Sequence, residues 1–223
     1  MIEFSKVDYG YGGSPLLRGV NVSLAPGSFH FLTGPSGAGK STFLKLCYGE
    51  LLPVSGTVAV FGQDCATMGR DDIALLRRRV GVVHQDCQFL DHLSMAENVA
   101  LPLTVSGQVT TGAEVKELMS WVGLARRAEA LPPSMSGGER QRAALARAVI
   151  MSPDMLIADE PTGNLDWEMS LKLLTLLVEL NRMGKTILVA THDLNLIRAA
   201  KPQVPARVLR IKDRKLDLAG SDL

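Results

Sequence analysis

The stretch "SFHFLTGPSGAGKSTFLKLCYGEL", Ser28–Leu51, decides the fold. An apolar run, Phe29–Leu32, leads into a glycine-rich loop, and the residues after the loop read as helix. Gly34–Ser41, "GPSGAGKS", satisfies GxxxxGK[ST] in the strand–loop–helix context that this pattern requires. The residues of the loop are Gly34, Pro35, Ser36, Gly37, Ala38 and Gly39, with Lys40, Ser41 and Thr42 opening the helix. Glycines let the backbone curl round phosphates without a Cβ in the way, and the loop N–H groups and helix N-terminus face the negative charge. Lys40 is placed to reach the β- and γ-phosphates of a nucleotide, and Ser41 to ligate Mg²⁺.

Other strand ends should meet this loop. "DMLIADE", Asp154–Glu160, is a buried strand that ends in carboxylates, where ligands sit in open α/β sheets. Asp159 suits the Mg²⁺ shell, and Glu160 suits orienting or deprotonating an attacking water. "TILVATHD" ends at His192 and "VGVVHQ" ends at Gln85, a neutral side chain able to bond both Mg²⁺ and water. A lone strand-end histidine or glutamine is usually structural; four strand ends converging on one loop make a catalytic reading the better one.

Working outward, the first sixty residues are β-rich: "IEFSKVDYGY", "GVNVSL" and "GTVAVFG" alternate in part and end in Gly or Pro turns. "IALLRRRV" reads as helix. From about Asp86 to Met135 the pattern is helical, with "SMAENVALPLTV", "GAEVKELMSWVGL" and a short "ARRAEAL". The long helix "WEMSLKLLTLLVELNRMG" separates the last two buried strands, and "ARVLRIKDRKLDLAG" reads as a hairpin turning at Lys212–Arg214. This order predicts one α/β domain over 1–223, with an antiparallel β subdomain. The core takes about 1–85 and 152–223, and a helical insertion takes about 86–151.

The insertion carries a second phosphate-seeking helix start, "SMSGGERQRAALARAV", Ser134–Val149. Ser136 and Glu139 form an S-x-x-E capping box, which explains the helix start by itself. It does not explain Gly137 and Gly138, which weaken a helix but clear space for an oxyanion. No strand feeds this helix, so it is expected to face phosphates held by another copy of the chain. Two chains head to tail would sandwich two nucleotides.

Composition bounds the partners. With 46% hydrophobic and 21% charged residues, the 223-residue chain can bury a substantial core. A net charge of +1 gives no support to a nucleic-acid binder held by phosphate attraction, so no direct nucleic-acid binding is expected. The three cysteines form no CxxC pair, which favours reduced thiols over zinc. No apolar stretch is long enough to span a bilayer and the N-terminus lacks signal-peptide character, so any membrane association is expected to run through a partner.

The set "GPSGAGKS", Gln85, "SGGE", "MLIADE", "GNLD" and His192 resembles, in that order, the ATP-binding cassette (ABC) ATPases of the P-loop NTPase class. The resemblance implies ATP and Mg²⁺ as ligands, and a homodimer with ATP sandwiched between chains. It implies a trans-acting signature at Ser136, Gly137, Gly138 and Glu139, and a D-loop at Asn164, Leu165 and Asp166. It also implies an aromatic stacked on adenine, for which Tyr11 is the best match and Tyr9 the next. The signature departs from Leu-Ser-Gly-Gly-Gln at Met135 and Glu139.

"ADEPTGNLD" further resembles the branch that holds cell-division, lipoprotein-release and macrolide-export ATPases, and other wording favours the cell-division members. That implies a membrane partner resembling FtsX and a place on the cytoplasmic face of the inner membrane. Phe89 and Leu90, in the mixed stretch after Gln85, are candidates for a groove that receives the partner; packing beneath the insertion is the plainer alternative. A GTPase would need an Asn-Lys-x-Asp base reader, which is absent. DNA-acting relatives insert coiled coils where this chain shows no sustained heptads, and ribosome-acting ones usually pair two cassettes.

Overall fold

A computed structural model describes residues 1–108, 112–163 and 165–218. The chain opens with a long antiparallel pair, β1 (Ile2–Tyr11) and β2 (Ser14–Leu24), and then enters β3 (Phe29–Thr33), the glycine-rich loop and α1 (Lys40–Cys47). Two short strands follow, β4 (Ser55–Val60) and β5 (Gln63–Asp64), then α2 (Arg70–Arg78) and β6 (Val80–Val83). Three helices come next: α3 (Met95–Val105), α4 (Ala113–Trp121) and α5 (Gly137–Val149). The chain finishes with β7 (Met155–Asp159), α6 (Trp167–Arg182), β8 (Thr186–Ala190), α7 (Leu194–Ala200) and the hairpin β9 (Ala206–Lys212) and β10 (Lys215–Leu218). Asp213 and Arg214 both take positive φ, 50° and 67°, as a two-residue hairpin turn of the favoured twist requires.

The strands form two sheets. One is antiparallel, in the order β2-β1-β4-β5; the other runs β10-β9-β3-β8-β7-β6, parallel apart from β10. Strands buried on both faces read as unbroken apolar runs, yet their side chains still alternate. Met155 and Ile157 of β7 and Leu188 and Ala190 of β8 join the core that α1 shares with the antiparallel sheet. Leu156, Ala158, Ile187 and Val189 face the opposite core, built with α6 and α7. Helix α1 is therefore clamped between two sheets, with Phe43 stacked on Phe4 at 4.6 Å.

The helices α3, α4 and α5 close a third core around Met95, Val99, Met119, Leu124 and Met135. Helix α5 belongs to two cores, since Ala143 and Ala146 face the helical cluster while Ala144, Leu145 and Val149 pack on the sheet side. A Cβ on Gly81 of β6 would come within 2.3 Å of Ala148 O, so the bare strand lets α5 rest directly on it. Two expectations change. The "ARRAEAL" stretch holds only a 3₁₀ turn, Ala125–Arg127, because Pro132 and Pro133 follow too closely for a helix to propagate. Helix α1 stops at Cys47, and Gly49 at φ 66° turns the chain away.

Candidate active site

The loop, three strand ends and the start of α1 enclose an open cleft of about 640 Å³. Gly39 precedes α1 in the left-handed region, φ 103°, a conformation that glycine adopts without strain. A Cβ there would also meet Leu16 Cγ at 3.1 Å, and Leu16 itself lines the cleft. Lys40 Nζ donates to Gly34 O at 3.1 Å, folding its ammonium back over the loop.

The parallel register of β7 and β8 pairs Asp159 with Ala190, and Glu160 N donates to Ala190 O at 2.9 Å. Glu160 and His192 thus leave neighbouring strands side by side. Glu160 Oε2 lies 2.9 Å from His192 Nδ1, and Oε1 lies 3.5 Å from Lys40 Nζ. The Glu160 backbone is left-handed, φ 46°, a strained state for a non-glycine residue that is found disproportionately at functional sites. Gln85 lines the same cleft, just beyond the end of β6.

The surroundings of Asp159 disfavour its charged form. Burial pushes its carboxyl pKa up and the neighbouring Glu160 charge adds to this, while the Ser41 hydroxyl and Lys40 oppose it. Its Oδ1 is buried, with no hydrogen-bond partner among the described residues. An orphaned carboxylate oxygen beside a serine hydroxyl is the hard-oxygen donor set that suits Mg²⁺. The residues present therefore fit that ion, with Ser41 and Asp159 as direct donors and Gln85 across the cleft.

Tyr11 is 55% exposed, and its hydroxyl lies 3.4 Å from Thr42 Oγ1 in the first turn of α1. Tyr9 meets it edge-on at 5.2 Å between ring centres. Tyr11 therefore stands beside the first turn of the helix that carries Lys40, outside the residues that line the cleft.

None of Ser136–Glu139 lines the cleft. The capping box is formed: Glu139 N donates to Ser136 Oγ at 3.2 Å and Ser136 N donates to Glu139 Oε2 at 2.9 Å. Met135 anchors this turn in the helical core. A Cβ on Gly138 would make only ordinary contacts, 3.4 Å to Leu165 and 3.8 Å to Met169. Nothing within the described chain demands glycine at 138. Leu165 is half-buried, and Asp166 caps α6 through Met169 N at 2.8 Å. Asn164 lies outside the described residues.

Phe89 and Leu90 part company. Phe89 is half-buried between the sheet-side and helical cores, with the Arg147 guanidinium 4.5 Å over its ring. Leu90 is 45% exposed. Three residues that sequence reading passed over hold this region. Buried Asn98 exchanges hydrogen bonds with Leu90 N and O at 2.8 and 3.0 Å and also donates to Leu93 O and Ser94 O. From α5, Gln141 accepts from Cys87 Sγ at 2.7 Å and Arg147 donates to Gln88 O at 2.6 Å. A further residue passed over, Arg127, pairs with Glu139 at the turn entering α5. Gln141 and Arg147 act through contacts far apart in sequence, and Asn98 and Arg127 through contacts within their own folded loops, so no motif marks them.

Residues 17–163 match the ABC transporter family. The chain is 46% identical over 213 residues to the cell division ATP-binding protein FtsE of Haemophilus influenzae, spanning 94% of this chain and 97% of that one. It is 41% identical to FtsE of Bacillus subtilis over 209 residues, 92% of each chain. With FtsE of Escherichia coli it shares 44% over 202 residues, 88% of this chain and 90% of that one. Among solved structures, it resembles a dimeric ATP-binding cassette in a post-hydrolysis state bound to ADP and Pi, with TM-score 0.87, 31% identity and 97% of both chains covered. A second dimeric structure of that same cassette, a bacterial ABC transporter cassette, gives TM-score 0.86 at 33% identity, again over 97% of both.

Proposed function

Because the chain belongs to the ABC transporter family and is an ATP hydrolase of that kind, we propose that it is the ATPase subunit of a cell-division complex at the cytoplasmic face of the inner membrane. Its membrane partner in this reading resembles FtsX, and ATP cycling passes motion to cell-wall hydrolysis beyond the membrane. The FtsE relatives, similar over nearly their whole length, support the cell-division assignment.

The observation that carries the chemistry is the cleft that gathers Lys40, Ser41, Gln85, Asp159, Glu160 and His192. The loop and Lys40 hold the β- and γ-phosphates, and the Tyr11 ring stacks on adenine. Mg²⁺, held by Ser41, Asp159 and Gln85, would supply charge neutralisation between the phosphates. Glu160 accepts a proton from water as its oxygen attacks the γ-phosphorus. The bond to the bridging oxygen breaks, and ADP and phosphate leave. His192, bonded to Glu160, orients that carboxylate and faces the γ-phosphate.

The signature completes the site from a second copy. Among the described residues nothing requires glycine at 138, and Ser136–Glu139 lies outside its own cleft, as a trans contact requires. Leu165 and Asp166 belong to the same seam. At the far end of the switch, Leu90 with Phe89 beneath it forms the groove for a short helix of the partner. Gln141 and Arg147 tie residues 87–89 to the signature helix, so that loss of the γ-phosphate near Gln85 reaches the groove.

Glu160→Gln tests the reading. It is expected to keep ATP affinity, lose about 10²–10⁴-fold in turnover and accumulate as a dimer with ATP and Mg²⁺. Lys40→Ala is expected to lose ATP binding itself. Near-normal turnover in Glu160→Gln removes the base assignment, and a monomer at saturating ATP in sedimentation removes the composite site. For the cellular role, depletion should give filaments that wild type rescues and Lys40→Ala does not.

A further inference from the structure

The helix start meant to receive phosphate carries a carboxylate. Glu139 Oε2 accepts from Ser136 N at 2.9 Å, so the charge sits at the mouth of α5 beside Gly137 and Gly138. That bond, followed by the Ser136 hydroxyl and the Arg127 charge, holds the Glu139 pKa below the usual carboxylate range, against the opposing effect of burial. It is anionic at neutral pH. A full negative charge there repels a triphosphate, whereas the family's common Gln would not.

Arg127 answers this charge. Its Nε lies 3.1 Å from Glu139 Oε1, close enough for an ion pair although the N–H is not directed at the oxygen. Its Nη2 donates to Ser134 O at 2.8 Å. The guanidinium is thus fixed at two points, one on the loop entering α5 and one on the carboxylate. It comes from the 3₁₀ turn Ala125–Arg127, an element that otherwise contributes no buried residue.

We propose that Arg127 is a positioning residue of the composite ATP site: it neutralises Glu139 and holds it on its own helix, so that a glutamate-bearing signature can accept the γ-phosphate of the nucleotide on the other chain. This rests on the trans-signature reading above. Arg127 acts on ATP only through Glu139, so the two positions must be energetically coupled in ATP-driven dimerisation.

The test is a double-mutant cycle in the Glu160→Gln background, reading the dimer dissociation constant with saturating Mg²⁺-ATP by sedimentation. Arg127→Ala is expected to weaken the dimer about tenfold, and Arg127→Lys much less. Arg127→Ala with Glu139→Gln should return to within about threefold of the parent, since the amide keeps the cap without the charge. Raising the salt from 0.1 to 0.5 M should shrink the Arg127→Ala defect relative to the parent, because only a charge effect is screened. Three results overturn the proposal: an unchanged dimer constant in Arg127→Ala, a defect that Glu139→Gln fails to relieve, or a defect independent of salt. If the parent Glu160→Gln protein itself stays monomeric with ATP, the composite site fails first, and that control separates the two failures.

Discussion

Asp159 keeps one buried oxygen without a partner among the described residues, and burial raises its pKa. An acid whose folded pKa lies above its unfolded value costs stability at every pH above the unfolded value. Asp159→Asn removes that cost. It should raise the melting temperature of the nucleotide-free protein by a few degrees, at about 2–4 °C per kcal/mol for a chain of this size, while abolishing Mg²⁺-dependent ATP binding. Scanning calorimetry with and without Mg²⁺-ATP reads both, and a lower melting temperature would contradict the account. His30 shows the opposite linkage. Burial, with the Arg207 charge second, pushes its pKa down to about 4 from 6.5. The unfolded chain then takes up a proton that the folded chain refuses, so stability present above about pH 6.5 is lost as pH falls toward 4. The loss is about 2 kcal/mol at pH 5, and denaturant titrations of wild type and His30→Gln between pH 7 and 5 should diverge by that amount. The loop residues 34–42, proposed to hold phosphate, carry their pattern in consecutive positions, so they are legible without the fold. Arg127 and Asn98 could not, since their partners come from another part of the chain or from their own folded loop.

At the scale of elements, Gly81 matters more than its strand suggests. Gly81→Ala forces β6 and α5 apart, and overpacking of this kind costs about 1–3 kcal/mol. Because α5 begins with the signature and β6 leads to Gln85, the variant should also lose cooperativity between ATP binding and dimerisation. Equilibrium unfolding checks the first effect and nucleotide titration the second. Phe89 and Leu90 need separate probes. Phe89→Ala leaves a hole between two cores and should destabilise the protein, whereas Leu90→Glu changes a half-exposed side chain and should release the protein from membranes at unchanged melting temperature. Flotation on vesicles that hold the partner distinguishes them; a membrane-bound Leu90→Glu would move the docking site elsewhere. Strands and long helices were legible because burial on both faces or on one stripe leaves periodic signals. The 125–131 stretch misled because its helix-forming residues run into Pro132 and Pro133, which stop propagation.

For the whole molecule, ATP at a hundred times its dissociation constant adds about 2.7 kcal/mol and should raise the melting temperature by about 5–10 °C. Lys40→Ala should show almost none of this. The architecture was legible from the order of motifs, but the seating of α5 between two cores was not, since both of its faces read as one alanine-rich stripe. The sheet order has a further consequence. β3, which feeds the phosphate loop, is flanked on both sides, while β6, which leads to Gln85, ends the sheet. Amide deuterium uptake should therefore be graded across the sheet, slow in β3 and β8 and faster in β6, because a strand bonded on one side opens without breaking its neighbours. Gln85, the proposed γ-phosphate sensor, is carried by the part of the sheet that can breathe, while the loop proposed to hold the nucleotide is carried by the part that cannot.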